Sequence, residues 1–170
     1  MKPNKPGNNK LVGQIGEQLV AAHLGYRGFF ATPFSGNVPD FDLIAINAET
    51  HVTIPVQVKT SINHTGAMIR SDIQKWVEIN IKNGIQTLGE PKKITHPGII
   101  WIIIALGENM EGNKFYICRH KDIQRLMIEH YEKFLFRHNG KRPNKPDSTM
   151  CNLTDEHLKD FEDNWKLLNE

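Results

Sequence analysis

Apolar positions along the chain switch between a helical and a strand period, and each switch marks an element. From Leu11 to Leu24 (LVGQIGEQLVAAHL) they recur at helical spacing on more than one side, the pattern of a helix packed between a sheet and a further layer. Gly25 to Gly28 closes that helix, and Gly28 to Phe34 reads as a first strand leading into a loop, Ser35 to Val38. Two short apolar strands follow, Phe41 to Ile46 and Val52 to Val58, joined by a polar turn around Asn47 to His51. A polar stretch containing His64 then runs to Ser71. Asp72 to Ile85 fits both periods: Ile73, Trp76 and Val77 share a helix face, whereas Val77, Ile79 and Ile81 alternate, so the second half is read as strand. Leu88 to Pro97, with Lys92, Lys93 and two prolines, reads as a surface loop.

Gly98 to Leu106 (GIIWIIIAL) is apolar on both faces and rich in β-branched residues, which predicts a central strand covered on both sides by helices. It is too short to cross a bilayer. After the turn GENMEGN, Lys114 to Cys118 is expected to be its hairpin partner. Asp122 to Phe136 carries Ile123, Leu126, Met127, His130, Tyr131, Phe134 and Leu135 in a helical stripe, read as core with His130 packed among the rest. A last helix is predicted from Thr154, an N-cap followed by Asp155 and Glu156, with Leu158, Phe161, Trp165 and Leu168 as its buried face.

The candidate chemistry lies in the stretch Asn37 to Ser61. Asp40 and Asp42 enter the first of its two strands, and Gln57, Val58 and Lys59 end the second. Antiparallel pairing would bring the carboxylates beside the glutamine and the lysine. On a pleated strand Gln57 and Lys59 project from one face while Val58 anchors the other in a core. That is the layout of a metal site. Glu17 is the only acid in the first helix and stands either at its exposed edge or toward a functional cleft.

Pro39-Asp40, then Asp42, then Gln57-x-Lys59 resembles the PD-(D/E)xK nuclease superfamily, over about a third of the chain from Gly13 to Ser61. Gln57 stands where the family's usual second acid stands, a departure similar to that of methyl-directed type IV restriction endonucleases. The resemblance implies an α/β fold with a restriction-endonuclease-like mixed central sheet flanked by helices. It also implies a Mg²⁺-dependent DNA endonuclease, acting in repair, recombination or defence against foreign DNA, with Asp42, Gln57, Lys59 and Glu17 as catalytic residues. Mg²⁺, or Mn²⁺ in its place, would take oxygen ligands from Asp42, the Gln57 side-chain carbonyl, the Val58 main-chain carbonyl and Glu17, the residue that matches a glutamate of resolvase-type members. Lys59 would stand beside the attacking water. Asp40 follows the proline of the motif, yet Asp42 immediately precedes the apolar run LIAI and is the favoured ligand. The rival reading is a binding or scaffold module that kept the fold and lost the reaction, as the glutamine suggests.

Composition changes this picture little. A chain of 170 residues suits one domain, taken as 11–170 behind a flexible arm, 1–10, that holds Lys2, Lys5 and Lys10. A net charge of +2 and a pI near 8.5 announce no nucleic-acid binder in bulk, so local patches must do so. The most basic stretch runs from Arg137 and His138 through Lys141, Arg142 and Lys145, and the last three are the candidates for contact with a phosphate backbone. Cys118 and Cys151, without a CxxC or a signal peptide, point to free thiols in a reducing cytoplasm. HExxH, a Gly-rich phosphate loop, GxSxG and zinc-spaced cysteines are all absent from the sequence, and His138-Asn139 lacks the ββα surroundings of an HNH nuclease. DNA is the expected partner, a membrane is not, and a homodimer is left open.

Overall fold

The computed structural model describes residues 9–34, 38–62 and 66–170. His64, most of the Ser35–Val38 loop and the arm up to residue 8 lie outside the described residues, and Asn9 and Lys10 already belong to the first helix. That helix, α1 (Asn9–Tyr26), precedes three strands, β1 (Phe29–Pro33), β2 (Leu43–Asn47) and β3 (Thr53–Ile62). Four more follow: β4 (Ile69–Asp72), β5 (Val77–Lys82), β6 (Ile85–Pro91) and β7 (Ile100–Leu106). The chain then forms β8 (Lys114–Arg119), α2 (His120–Arg137), β9 (Met150–Leu153) and a single helical turn, α3 (Asp155–Leu158).

Five strands make the central sheet in the order β1-β2-β3-β7-β8. Every pairing is antiparallel except β3 with β7, which runs parallel from Val56 opposite Ile100 to Ile62 opposite Leu106. As its composition predicts, β7 is buried along its whole length. Alternation sorts its side chains. Ile100, Ile102 and Ile104 enter the core beneath α1 with Val56 and Val58, while Trp101, Ile103 and Ala105 enter the core beneath α2 with Ile123, Met127, Tyr131 and Leu135. The result is a mixed sheet with a helix on each face. Fully burying one such isoleucine contributes roughly 1.5–3 kcal/mol, so this strand is the main source of cohesion between the two layers.

Five elements depart from the sequence reading, two of them the paired strands β4 and β9, which it did not predict. Leu88 to Pro97 is not a loop throughout: β6 extends to Pro91 and forms a separate two-stranded ribbon with β5, Pro91 being tolerated at the strand end. The site strand also does not stop at Val58, because β3 continues to Ile62 along β7. The expected last helix breaks after one turn. There the Asp163 N–H donates to Phe115 O at 2.8 Å, Asn164 Nδ2 to Ile117 O at 3.3 Å, and Glu162 bridges Tyr116, so the backbone leaves the helix to cover the open edge of β8. Its apolar residues are still buried, with Leu158 in one core and Leu168 in the other. Cys118 and Cys151 are buried free thiols, as expected. No helix among the described residues is long and apolar enough to cross a membrane.

His130 is not simply packed in the stripe of α2. Its Nδ1 stands 2.8 Å from His157 Nε2, and His157 Nδ1 in turn accepts the Thr154 N–H at 3.1 Å. An accepting Nδ1 puts the His157 proton on Nε2, which then donates to His130, so the relay holds only while both rings are neutral. Burial lowers both pKa values below the usual 6.5, helped at His130 by the His157 ring, Arg137 and Lys133 and resisted at His157 chiefly by Glu156. The unfolded chain therefore takes up protons that the folded one refuses. Stability is full above about pH 6.5 and is lost as pH falls through the histidine range. Urea melts at a series of pH values are expected to show an acid-side loss that shrinks in a His130→Leu/His157→Leu variant. An equally steep loss in that variant would sink the assignment.

Candidate active site

The local geometry begins where β2 meets β3. The Asp42 N–H donates to Val56 O at 2.8 Å, opening the ladder one residue before β2, and this turns the Asp42 carboxylate toward the next two residues of β3. Asp42 Oδ2 accepts the Val58 N–H at 2.7 Å and the Gln57 side-chain amide, whose Nε2 also lies 3.3 Å from Val58 O. Asp42, Gln57 and Val58 thus converge, with the Gln57 side chain turning its amide nitrogen, not the expected carbonyl oxygen, toward Asp42 and Val58 O. Gln57 is only 9 % exposed, so the amide is held there by its surroundings.

Glu17 joins them from α1. Its carboxyl is pushed above the usual range by burial first and by the Asp42 carboxylate second, with Lys59 pulling the other way, so the three charges share one field. The close approach of α1 depends on Gly16. A Cβ there would overlap Thr60 Oγ1 on β3 and stand 3.0 Å from Thr60 Cβ. Asp40 is placed differently: in a left-handed backbone conformation (φ 73°), it turns its exposed carboxylate to within 3.7 Å of His96 Nε2. Of the two aspartates, only Asp42 faces Gln57 and Val58.

Gln57 and Lys59 open into a cleft of about 410 Å³ between the sheet and the segment that carries β4 and β5. Lys59 is exposed at mid-strand, its Nζ 5.9 Å from the centre of the Trp101 ring. Arg70, Lys75, Lys92 and Lys93 line the same cleft, where Asp40 is the only acid among the described residues. The sequence reading missed these four cations as a group because they come from β4, a 3-10 turn and the end of β6, which only the fold brings together. The Pro91-Lys92-Lys93 run was their one local signal. His120 lies between Trp76 and Trp101, with Trp101 Nε1 directed at its Nδ1 from 3.5 Å, and burial lowers its pKa.

The basic loop expected to touch phosphate lies elsewhere. It follows α2, whose other end carries His120 at the cleft, and an 18-residue helix spans roughly 27 Å. Arg142 is engaged internally: its Nη1 donates to Met150 O at 2.7 Å, and its guanidinium lies 5.1 Å from the Phe134 ring centre, tying β9 to α2. Lys141 and Lys145 are exposed.

Among the described residues, no group of three or more His, Cys, Asp and Glu side chains is arranged to hold a metal ion. The oxygens available are those of Asp42, Glu17, Val58 O and Gln57 Oε1, the last once its amide turns over. Such a donor set suits a hard divalent cation.

No protein-family model matches the chain, and no curated protein matches it. Among solved structures, that of a bacterial homing endonuclease, I-Ssp6803I, is similar, with a TM-score of 0.51, 17% sequence identity and coverage of 95% of this chain and 93% of that one. At this identity the likeness establishes a shared nuclease-like fold.

Proposed function

We propose that the protein is a divalent-metal-dependent DNA endonuclease of the PD-(D/E)xK type, hydrolysing phosphodiester bonds. One observation carries the reading: Asp42, Gln57 and Val58 converge beside Lys59 and Glu17, at a cleft whose described lining carries five cations and one acid, Asp40. Sharing a fold with a homing endonuclease adds support, as do the cations, whose placement suits a polyanion.

Asp42, Glu17, Val58 O and the turned Gln57 amide would hold Mg²⁺ or Mn²⁺. The ion would supply Lewis acidity toward a phosphate oxygen and make a bound water more acidic. Lys59 presents a compact ammonium beside these groups, where it favours hydroxide and offsets the charge that develops on the phosphorane-like transition state. Glu17, its carboxyl raised by burial and by Asp42 while no cation is bound, would give up its proton as the cation binds, which couples metal affinity to pH. The cations of the cleft wall hold the backbone in register with the reacting bond.

A second reading rests on the Gln57 amide. As positioned, it donates to Asp42 and satisfies that carboxylate with no cation present, as a binding module without catalysis would need. Plasmid cleavage with Mg²⁺, Mn²⁺ or chelator separates the two readings, and Gln57→Glu sharpens the contrast. For a nuclease, this variant is expected to bind Mn²⁺ on the order of tenfold more tightly in calorimetry while still cutting. Tighter Mn²⁺ binding with no cutting by any form would favour the binding module. Equal affinity in wild type, Gln57→Glu and Asp42→Asn would mean that no metal sits at this hairpin.

A further inference from the structure

The β5–β6 ribbon belongs neither to the central sheet nor to the catalytic hairpin. Its two ends are fastened differently. At the base, the Lys92 N–H donates to Trp76 O at 2.9 Å, and Gln124 Nε2 bonds Trp76 O at 2.8 Å and Lys92 O at 2.7 Å, so the ribbon rises directly from the cleft wall. At the tip, Asn83 (φ 54°) and Gly84 (φ 73°) are both left-handed, as the tight type I′ turn requires. There the Gln86 N–H donates to Gly140 O at 2.8 Å, and a Cβ on Gly84 would stand 3.7 Å from Lys141 Cε.

The faces of the ribbon differ as sharply. On the inner face Gln86 is 2 % exposed; it accepts from Tyr131 OH at 2.6 Å and donates to Ser148 O at 3.2 Å, while Ile79 and Leu88 pack on the core beneath α2. The outer face presents Asn80 beside Thr87 across the strands, with Lys82 beyond them toward the tip and Glu78 beside Gly89 toward the base, all exposed. The ribbon's side-chain hydrogen bonds among the described residues come from Gln86, so the outer polar groups are uncommitted.

We infer that this ribbon enters the major groove of duplex DNA and reads base edges with Asn80 and Thr87, an inference that rests on the endonuclease reading. Charge and dimensions select this occupant. Cations stand at both ends of the ribbon, Lys75, Lys92 and Lys93 at the base and Lys82, Lys141 and Lys145 about the tip, and between them lie an amide, a hydroxyl and one carboxylate, Glu78, which is suited to accept from a cytosine amino group. Six residues of strand span roughly 20 Å, and a major groove about 12 Å wide admits a two-stranded ribbon, so the two sets of cations can reach phosphates on opposite walls. Asn is suited to bidentate contact with adenine, and Thr to a polar contact or to the thymine methyl. The inner-face bonds make the ribbon rigid, which spares the cost of ordering it on binding.

The test is binding of the full chain to a randomised duplex library, with sequencing of the bound pool, alongside cleavage of plasmid. Wild type is expected to enrich a defined run of base pairs. Asn80→Ala/Thr87→Ala is expected to lose about 5- to 150-fold of the preference at part of that run, while keeping the salt slope, because no phosphate contact is removed. Lys92→Ala/Lys93→Ala, by contrast, should weaken binding to every sequence and flatten the salt dependence. An unchanged preference in the Asn80/Thr87 variant, or a wild type that cuts without any preference, would overturn the role of the ribbon and leave the endonuclease reading standing. A wild type that neither binds nor cuts DNA would overturn both.

Discussion

Lys59→Ala is expected to lower metal-dependent DNA cleavage by about 10²- to 10³-fold, the usual cost of removing one positioned charge from a transition state. The loss should fall on kcat, because the remaining cations of the cleft still hold the backbone while the charge beside the reacting phosphate is gone. Stability should change by no more than about 0.5 kcal/mol, since Lys59 is exposed and the strand around it is fixed by pairing with β7. Lys59→Arg should not restore the rate, its planar fork being a poor substitute for a compact ammonium. Single-turnover plasmid cleavage and a thermal melt decide the matter. A folded Lys59→Ala enzyme that cuts at the wild-type rate would remove Lys59 from the mechanism.

Gly16→Ala should damage the protein more broadly. On an open helix the change would stabilise by roughly 1 kcal/mol, because glycine is costly within a helix. Here the added methyl meets Thr60 on β3, so α1 must shift by a substantial part of an ångström, at about 1–3 kcal/mol for overpacking. Glu17, next in sequence, moves with it. A displacement of that size at a catalytic group costs about 10²-fold in rate, so cleavage should fall further than the loss of stability explains. Thr60→Ala removes the overlapping hydroxyl, which is buried and has no hydrogen-bond partner among the described residues, and should recover part of both losses in the double variant. Strictly additive effects in that cycle would show that the two residues are not coupled.

What the sequence made legible was local. The β2–β3 hairpin with Asp42, Gln57, Val58 and Lys59 could be read because all four lie within one pair of neighbouring strands, where pleat and register decide what meets. The two-faced burial of β7 was legible in its unbroken apolar run. The wall of the cleft was not: Arg70, Lys75, Lys92 and Lys93 lie on separate elements that meet through tertiary packing. Arg142 illustrates the opposite case. In sequence it looks like part of a basic loop, but in the fold its guanidinium is engaged with Met150 O, and nothing local distinguishes it from Lys141. The last helix failed for a related reason, since the exposed edge of β8 competes for the backbone groups that would have continued it.

The single parallel contact in the sheet bears on how the protein comes into being. The turn between β2 and β3 is short, so that hairpin can close within about 1–10 μs. Docking β3 on β7 must bring Val56 to Ile100 across all of β4, β5 and β6, a long loop whose closure is entropically costly and whose contacts are non-local. Asp42, Gln57 and Val58, the donors proposed for a metal, therefore meet early in folding, whereas Trp101 and the cleft wall assemble late. A nascent chain would carry these proposed ligands for some time before it has a groove beside them.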